Sequence, residues 1–274
     1  MLTPWLEDPD VTLYHGDCLD VLASLPDRGA DAVVTSPPYL DMRPEYETAS
    51  LATLEVVFLH LRRVAAGGPL LLNLGRVWRN GIESRWWHEV IESAEQVGYQ
   101  LLDTLVWVKP NANPIHGNVF ANSHEYVFVL GDPGVELNVD DVRRPHSDET
   151  RKRFGRAWTN HRGVKNPRPG RERKMRAEPN PLGARPRSYI EVCVGKEKGN
   201  PHPAPMAADL AEHLVRLGCA EGGVVLDPFA GSGTTLLAAR KHGRRSIGVD
   251  LNEEYLRIAA DRLGQQSLLF EAAS

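Results

Sequence analysis

The apolar positions of this chain fall into two alternating patterns. Short continuous runs, many of them β-branched, predict strands at Val11-Thr-Leu-Tyr14, Asp31-Ala-Val-Val-Thr35, Leu70-Leu-Leu-Asn73, Leu101 to Val108, Glu125 to Leu130, Gly223-Val-Val-Leu-Asp227 and Arg245-Ser-Ile-Gly-Val-Asp250. Between them, apolar residues return at helical spacing. Leu51, Leu54, Val57, Phe58 and Leu61 predict a helix over Ala49 to Val64, and Leu210, Leu214 and Leu217 predict another that ends at Gly218. Further helices are expected at Cys18 to Leu25, Ser84 to Val97, Leu236 to His242 and from Asn252 to about Leu263. Strands that alternate with helices predict an α/β fold with a largely parallel sheet. No helical pattern separates the Leu101 and Glu125 strands, which predicts an antiparallel piece on one edge.

One stretch breaks the rhythm. Gly131 to roughly Arg187 is rich in Arg, Lys, Pro, Gly and Asn, with little periodicity. From Arg143 to Arg187 it holds 15 Lys and Arg against 4 Asp and Glu, a net +11 in a chain of net −4, so the remainder carries −15. Such a block is either a solvated insertion or a surface that meets a polyanion. The composition of the whole chain, 25% charged and 42% hydrophobic, is ordinary for 274 residues with a proper core. No apolar run is long enough to span a bilayer and no signal peptide opens the chain, so a soluble, cytoplasmic protein is expected. Cys18, Cys193 and Cys219 form no CxxC pair. They read as reduced thiols in or near the core, and no metal site is expected.

The candidate chemistry lies where strands end. Pro37 and Pro38 stop the Asp31 strand and leave a stiff loop, Thr35-Ser36-Pro37-Pro38-Tyr39, at its carboxyl end. There Ser36 offers a hydroxyl, the Ser36 and Pro37 carbonyls are acceptors, and Tyr39 supplies a flat ring. An exocyclic amine on a nucleobase needs those groups: acceptors for its hydrogens and a face to stack on. A proline-terminated strand with an ordinary loop is the plainer reading. Asp17 ends the first strand, where it either caps the next helix or accepts from a ligand. After the Gly223 strand, Asp227-Pro-Phe229-Ala-Gly231-Ser-Gly233-Thr234-Thr235 is a glycine-rich turn that opens a helix, and the following strand ends in Asp250. That is a nucleoside-binding βαβ unit, with Asp250 placed for ribose hydroxyls. The turn lacks the third glycine of a dinucleotide fingerprint and the lysine of a P-loop, which disfavours NAD chemistry and nucleotide triphosphate hydrolysis.

Together, Thr35-Ser-Pro-Pro-Tyr39 and the later Asp227 to Thr235 frame resemble the DNA amino-methyltransferases of the β arrangement. Gly16-Asp17, Asn122-Ser-His-Glu-Tyr126 and His202-Pro-Ala-Pro-Met206 are also similar to segments of that family. The resemblance implies a Rossmann-like S-adenosylmethionine-dependent methyltransferase sheet in a circularly permuted motif order. It implies a catalytic half over residues 1–130, a basic target-recognition insert over 131–190, and a cofactor-binding half over 191–274. It also implies S-adenosyl-L-methionine as cofactor and double-stranded DNA as substrate, with room for a partner restriction endonuclease and a homodimer. Phe229, Gly231, Gly233, Thr234 and Thr235 would line the cofactor. Asp227 would lie beside its methionine, Asp17 would meet its adenine and Asp250 its ribose. Ser36, Pro37, Pro38 and Tyr39 would hold a flipped base. Serine at this place is associated mainly with the cytosine-N4 enzymes, which favours cytosine over adenine N6. A methyltransferase of RNA or protein, or a non-catalytic DNA-binding protein, are the rival readings.

Overall fold

The computed structural model describes residues 3–38, 50–112, 120–154, 180–195 and 206–273. Two units divide the chain: Met1–Asn138 together with Ser188–Ser274, and Val139–Arg187. The first unit is an α/β sheet. Its chain opens with β1 (Leu6–Glu7), β2 (Val11–His15), α1 (Cys18–Ser24), β3 (Ala32–Thr35), α2 (Leu51–Val64) and β4 (Leu70–Leu74). A small hairpin follows, β5 (Val77–Arg79) and β6 (Ile82–Ser84), and then α3 (Trp86–Gln96), β7 (Gln100–Val108) and β8 (His124–Gly131). In the second unit lies α4 (Asp148–Phe154). The first unit resumes with β9 (Tyr189–Glu191), α5 (Ala208–Gly218), β10 (Val224–Asp227), α6 (Thr234–Lys241), β11 (Arg245–Asp250) and α7 (Glu253–Ala273).

Among the described residues the main sheet has nine strands in the order β1-β2-β11-β10-β3-β4-β8-β7-β9. The five from β2 to β4 are mutually parallel. Alternate side chains of β4 separate the two helical layers. Leu70 and Leu72 join Leu22, Phe58, Leu61 and Trp86 in the core under α1, α2 and α3. Leu71 points the other way, so close under α5 that a Cβ on Gly218 would fall 2.4 Å from its Cδ1. Both faces are therefore covered, which is why β3, β4 and β10 read as largely unbroken apolar runs, whereas β2 alternates buried Val11 and Leu13 with half-buried Thr12 and Tyr14.

Strand order reverses at the centre. From β10 the chain proceeds through α6 to β11 on one side, and from β3 it proceeds through α2 to β4 on the other. The crevice where an open α/β sheet takes its ligand thus lies at the carboxyl ends of β10 and β3. Asp227-Pro-Phe and Thr35-Ser-Pro-Pro, 192 residues apart, leave the sheet at that one place.

Several expectations need correction. The antiparallel β7–β8 pair does sit toward one side, but β9 runs parallel to β7 outside it and forms the actual edge. The hairpin at 77–84, β1 and α4 were not anticipated. The last helix continues to Ala273 rather than Leu263, and the glycine turn's helix begins at Thr234 rather than Leu236. Cys219 is buried and Cys18 partly so, but Cys193 is exposed. No helix among the described residues is long and apolar enough to cross a membrane.

In the second unit the two ends of the segment are tied to each other. Arg144 and Ala184 exchange both backbone hydrogen bonds, at 3.0 and 2.8 Å, and Arg143 donates to the Gly183 carbonyl at 3.1 Å. His146 Nε2 lies 2.8 Å from the Asn180 carbonyl. Residues 155–179, which carry most of the basic block, lie outside the described residues, as do Tyr39 and 202–205 of the His202 segment.

Candidate active site

Three acids terminate three neighbouring strands: Asp227 at β10, Asp250 at β11, and Asp17 just past β2. Asp227 is only 3% exposed. Its Oδ1 accepts the Thr35 hydroxyl at 2.7 Å and the Phe229 amide at 3.1 Å. The first of these bonds joins the strand that ends in Ser36 to the strand that opens the glycine turn. Burial pushes the Asp227 carboxyl up to about 6, against the hydrogen bonds from Thr35, Thr235 and Phe229, and the neighbouring Asp250 pushes it further the same way.

Asp250 holds the turn to its own strand. Its Oδ2 accepts from the Gly231 amide at 2.8 Å and its Oδ1 from the Asn252 amide at 2.8 Å. Burial raises its pKa in spite of those two donors. Gly231 (φ 52°) and Gly233 (φ 78°) both occupy the left-handed region, where a side chain would be strained. At Gly233 a Cβ would also meet the Ala259 Cβ at 2.7 Å. Bare backbone is therefore required where the turn meets α7. Thr234 and Thr235 form the buried first turn of α6, and Phe229 packs partly into the core.

Asp17 is exposed and caps α1, with Oδ1 accepting from Leu19 N at 2.8 Å. The capping reading is thus realised, and an acceptor lone pair remains beside the end of β11. Ser36 and Pro38 are half-buried and Pro37 buried, directly after Thr35.

Residues given no role from sequence surround these positions. Arg262 of α7 donates to the Ser232 carbonyl and reaches Ser232 Oγ and Thr234 Oγ1 at 3.4 Å, which clamps the glycine turn from outside. At the carboxyl ends of β4 and β7 and the amino end of the antiparallel β8, Lys109 Nζ bonds Glu125 Oε1 at 2.7 Å, and Asn73 Nδ2 donates to Glu125 Oε2 at 3.2 Å and to the Tyr126 carbonyl at 3.1 Å. A signal for this network existed: Asn73 is a polar residue ending an otherwise apolar buried run.

Comparison with known proteins agrees with this geometry. Residues 30–261 match the N6/N4 DNA methylase family model. The Type II methyltransferase M.ScaI of Streptomyces caespitosus is 30% identical over 95% of this chain and 83% of its own length. A DNA modification methylase of Thermus thermophilus, solved with S-adenosyl-L-methionine, is 27% identical with a TM-score of 0.60 over 93% of this chain and 95% of its own. The cytosine-N4-specific PvuII DNA methyltransferase shares the fold, with a TM-score of 0.70 at 19% identity over 94% of this chain and 88% of its own. A buried acid and a glycine turn beside a Ser-Pro-Pro loop, at the switch point of a sheet matched from residue 30 to 261, make this chain a member of the N6/N4 DNA methylase family.

Proposed function

We propose that this protein transfers a methyl group from S-adenosyl-L-methionine to the exocyclic N4 of a cytosine flipped out of double-stranded DNA. The observation that carries the choice of base is Ser36: a neutral hydroxyl, rather than a carboxylate or amide, stands at the end of β3 next to the Asp227 crevice. The site's residues fit the cofactor. Asp227 is a buried and Asp250 a half-buried carboxylate at the crevice, and the cofactor brings two cationic groups, a sulfonium and an ammonium. Gly231 and Gly233 leave backbone alone where a nucleoside would approach. Asp250 would take the ribose, Asp17 the adenine, Asp227 the methionine side, and Phe229, Thr234 and Thr235 the walls.

When bound, S-adenosyl-L-methionine supplies an electrophilic methyl group. The chain's own residues prepare the amine. An exocyclic nitrogen is a weak nucleophile because its lone pair is conjugated with the ring. Hydrogen bonds from that amine to the Ser36 hydroxyl and the Pro37 carbonyl favour a pyramidal nitrogen and free the lone pair. Tyr39 stacks on the base and Pro38 keeps the loop stiff. Positioning and electrostatics do the work, without a covalent enzyme intermediate. A base inside a duplex cannot reach this crevice, so flipping is required.

Residues 131–190 would then read the DNA, their cations meeting phosphate, between a catalytic half at 1–130 and a cofactor half at 191–274. The Type II names of the relatives support a partner restriction endonuclease, with the protein acting in the cytoplasm as a monomer or homodimer.

Mass spectrometry of nucleosides from DNA treated with the purified protein tests the reading, and N4-methylcytosine is expected. N6-methyladenine without N4-methylcytosine would reverse the assignment of Ser36, and label transferred only to RNA or protein would remove DNA as the substrate. Ser36→Ala should lower kcat by ~10²-fold, the scale of one lost electrostatic contact to a transition state. Its S-adenosyl-L-methionine affinity, measured by calorimetry, should stay as in the wild type.

A further inference from the structure

The β5–β6 hairpin is a stiff arm that anchors in the core through Val77 and has no role in the chemistry above. Asn80 (φ 52°) and Gly81 (φ 79°) form its two-residue turn, both in the left-handed region that tight hairpins require. Its base is braced three ways. Arg76 bonds Glu83 through Nε at 2.7 Å and Nη2 at 2.5 Å, its guanidinium lies 4.6 Å from the Trp78 ring centre, and Trp86 Nε1 donates to the Gly75 carbonyl at 2.9 Å. Ile82, beside the turn, is 73% exposed. A single exposed apolar residue means little on most surfaces. Here it is carried by a rigid arm with Arg76, Arg79 and Arg85 against Glu83 alone.

The arm's origin gives it a partner. β4 lies beside β3 in parallel, with Leu72 opposite Thr35, so the hairpin leaves the sheet from the same edge as Ser36. Arg76 and Glu83 are also close enough to His124, the first residue of β8, to act on its charge, which places the arm's base on that rim. An apolar tip on an arm whose sequence carries a net positive charge suits a DNA duplex: such an arm is drawn to phosphates, while Ile is one of the residues that wedge between base steps. Resting on the DNA-methylation reading, we infer that Ile82 enters the base stack next to the target and holds the space the flipped base leaves.

The test uses the full-length protein and a duplex built on the site the wild type is found to methylate. A second duplex carries the same target opposite an abasic position, where little pairing has to be broken. Ile82→Ala should methylate the paired duplex about tenfold more slowly and the unpaired target within twofold of wild type, with unchanged S-adenosyl-L-methionine affinity. Because the side chain is exposed, its truncation leaves the fold intact. Equal rates on paired DNA would overturn the inference, and so would an equal loss on both duplexes. A loss accompanied by a changed oligomeric state would assign the tip to a protein contact and overturn it too. A wild-type protein that methylates no DNA would overturn the methylation reading itself, whereas an active wild type matched by Ile82→Ala overturns only the role of Ile82.

Discussion

Asp227→Asn is expected to raise the melting temperature of the cofactor-free protein at pH 7 while weakening S-adenosyl-L-methionine binding by about tenfold or more. Both effects follow from one buried charge. The carboxyl is 3% exposed and its pKa rises from the ordinary 3.8 to about 6. Keeping it ionised in the fold therefore costs about 3 kcal/mol, at roughly 1.4 kcal/mol for each pH unit of displacement. The sign follows from linkage. Below about pH 4 the group is protonated in both folded and unfolded chains and takes nothing from stability. As pH rises through about 6 the unfolded chain ionises more readily, and that stability is lost. The stability gap between variant and wild type should thus open between about pH 4 and 6 and stay level above.

An asparagine can keep the acceptor that Thr35 and Phe229 use, and its amide can donate to the Thr235 hydroxyl. It cannot offer a charge to a cationic ligand, and a lost charge-assisted contact is worth about 1.5–3 kcal/mol. Thermal unfolding from pH 3.5 to 8, with and without cofactor, measures both sides. An amide variant less stable than wild type at pH 8, or one that binds the cofactor equally well, would remove Asp227 from this role.

The elements that frame this site were legible because they are built from local pattern. The runs ending in Thr35 and Asp227 are apolar on both faces, and buried parallel strands need that. The glycine turn announced itself because Gly231 and Gly233 adopt backbone angles other residues avoid. Asp17 was readable as a cap from its place before a helical repeat. What stayed hidden depends on distance along the chain or on brevity. Arg262 meets Ser232 across 30 residues, and Asn73 meets Glu125 across 52, which no periodicity reports. β9 is three residues long and gains its place by pairing with β7. The hairpin was readable in principle, since Asn80-Gly81 is a strong turn signal. Its flanking strands are only three residues each, too short to show the alternation that would draw attention to it. α4 had a charge signature, Asp148-Glu149 ahead of Arg151-Lys152-Arg153, that suits a helix dipole but was submerged in the surrounding basic composition.

Lys109→Met should destabilise the protein by about 3–5 kcal/mol, the cost of removing one partner from a buried ion pair. The Lys109 and Glu125 side chains are 8% and 13% exposed, with Nζ and Oε1 2.7 Å apart. The geometry leaves little freedom. The Lys109 amide donates to the Ser123 carbonyl at 2.7 Å, its ammonium lies 5.1 Å from the Trp107 ring centre, and Asn73 holds the other Glu125 oxygen. Methionine replaces the aliphatic stem but takes away the ammonium, so the Glu125 carboxyl loses the cation that offset its burial. Glu125→Gln alone should also cost stability, because it takes the anion from a buried ammonium. The double variant should recover more than half of the loss, since a pair removed together leaves no uncompensated charge. Urea unfolding of the four proteins gives the coupling directly. Strictly additive losses would show that the two side chains do not sustain each other. The pair spans β7 and β8, and through Asn73 reaches β4, the strand beside Ser36. A loosened pair should therefore also lower kcat for DNA methylation while leaving S-adenosyl-L-methionine binding, at least three strands away at Asp227 and Asp250, close to wild type.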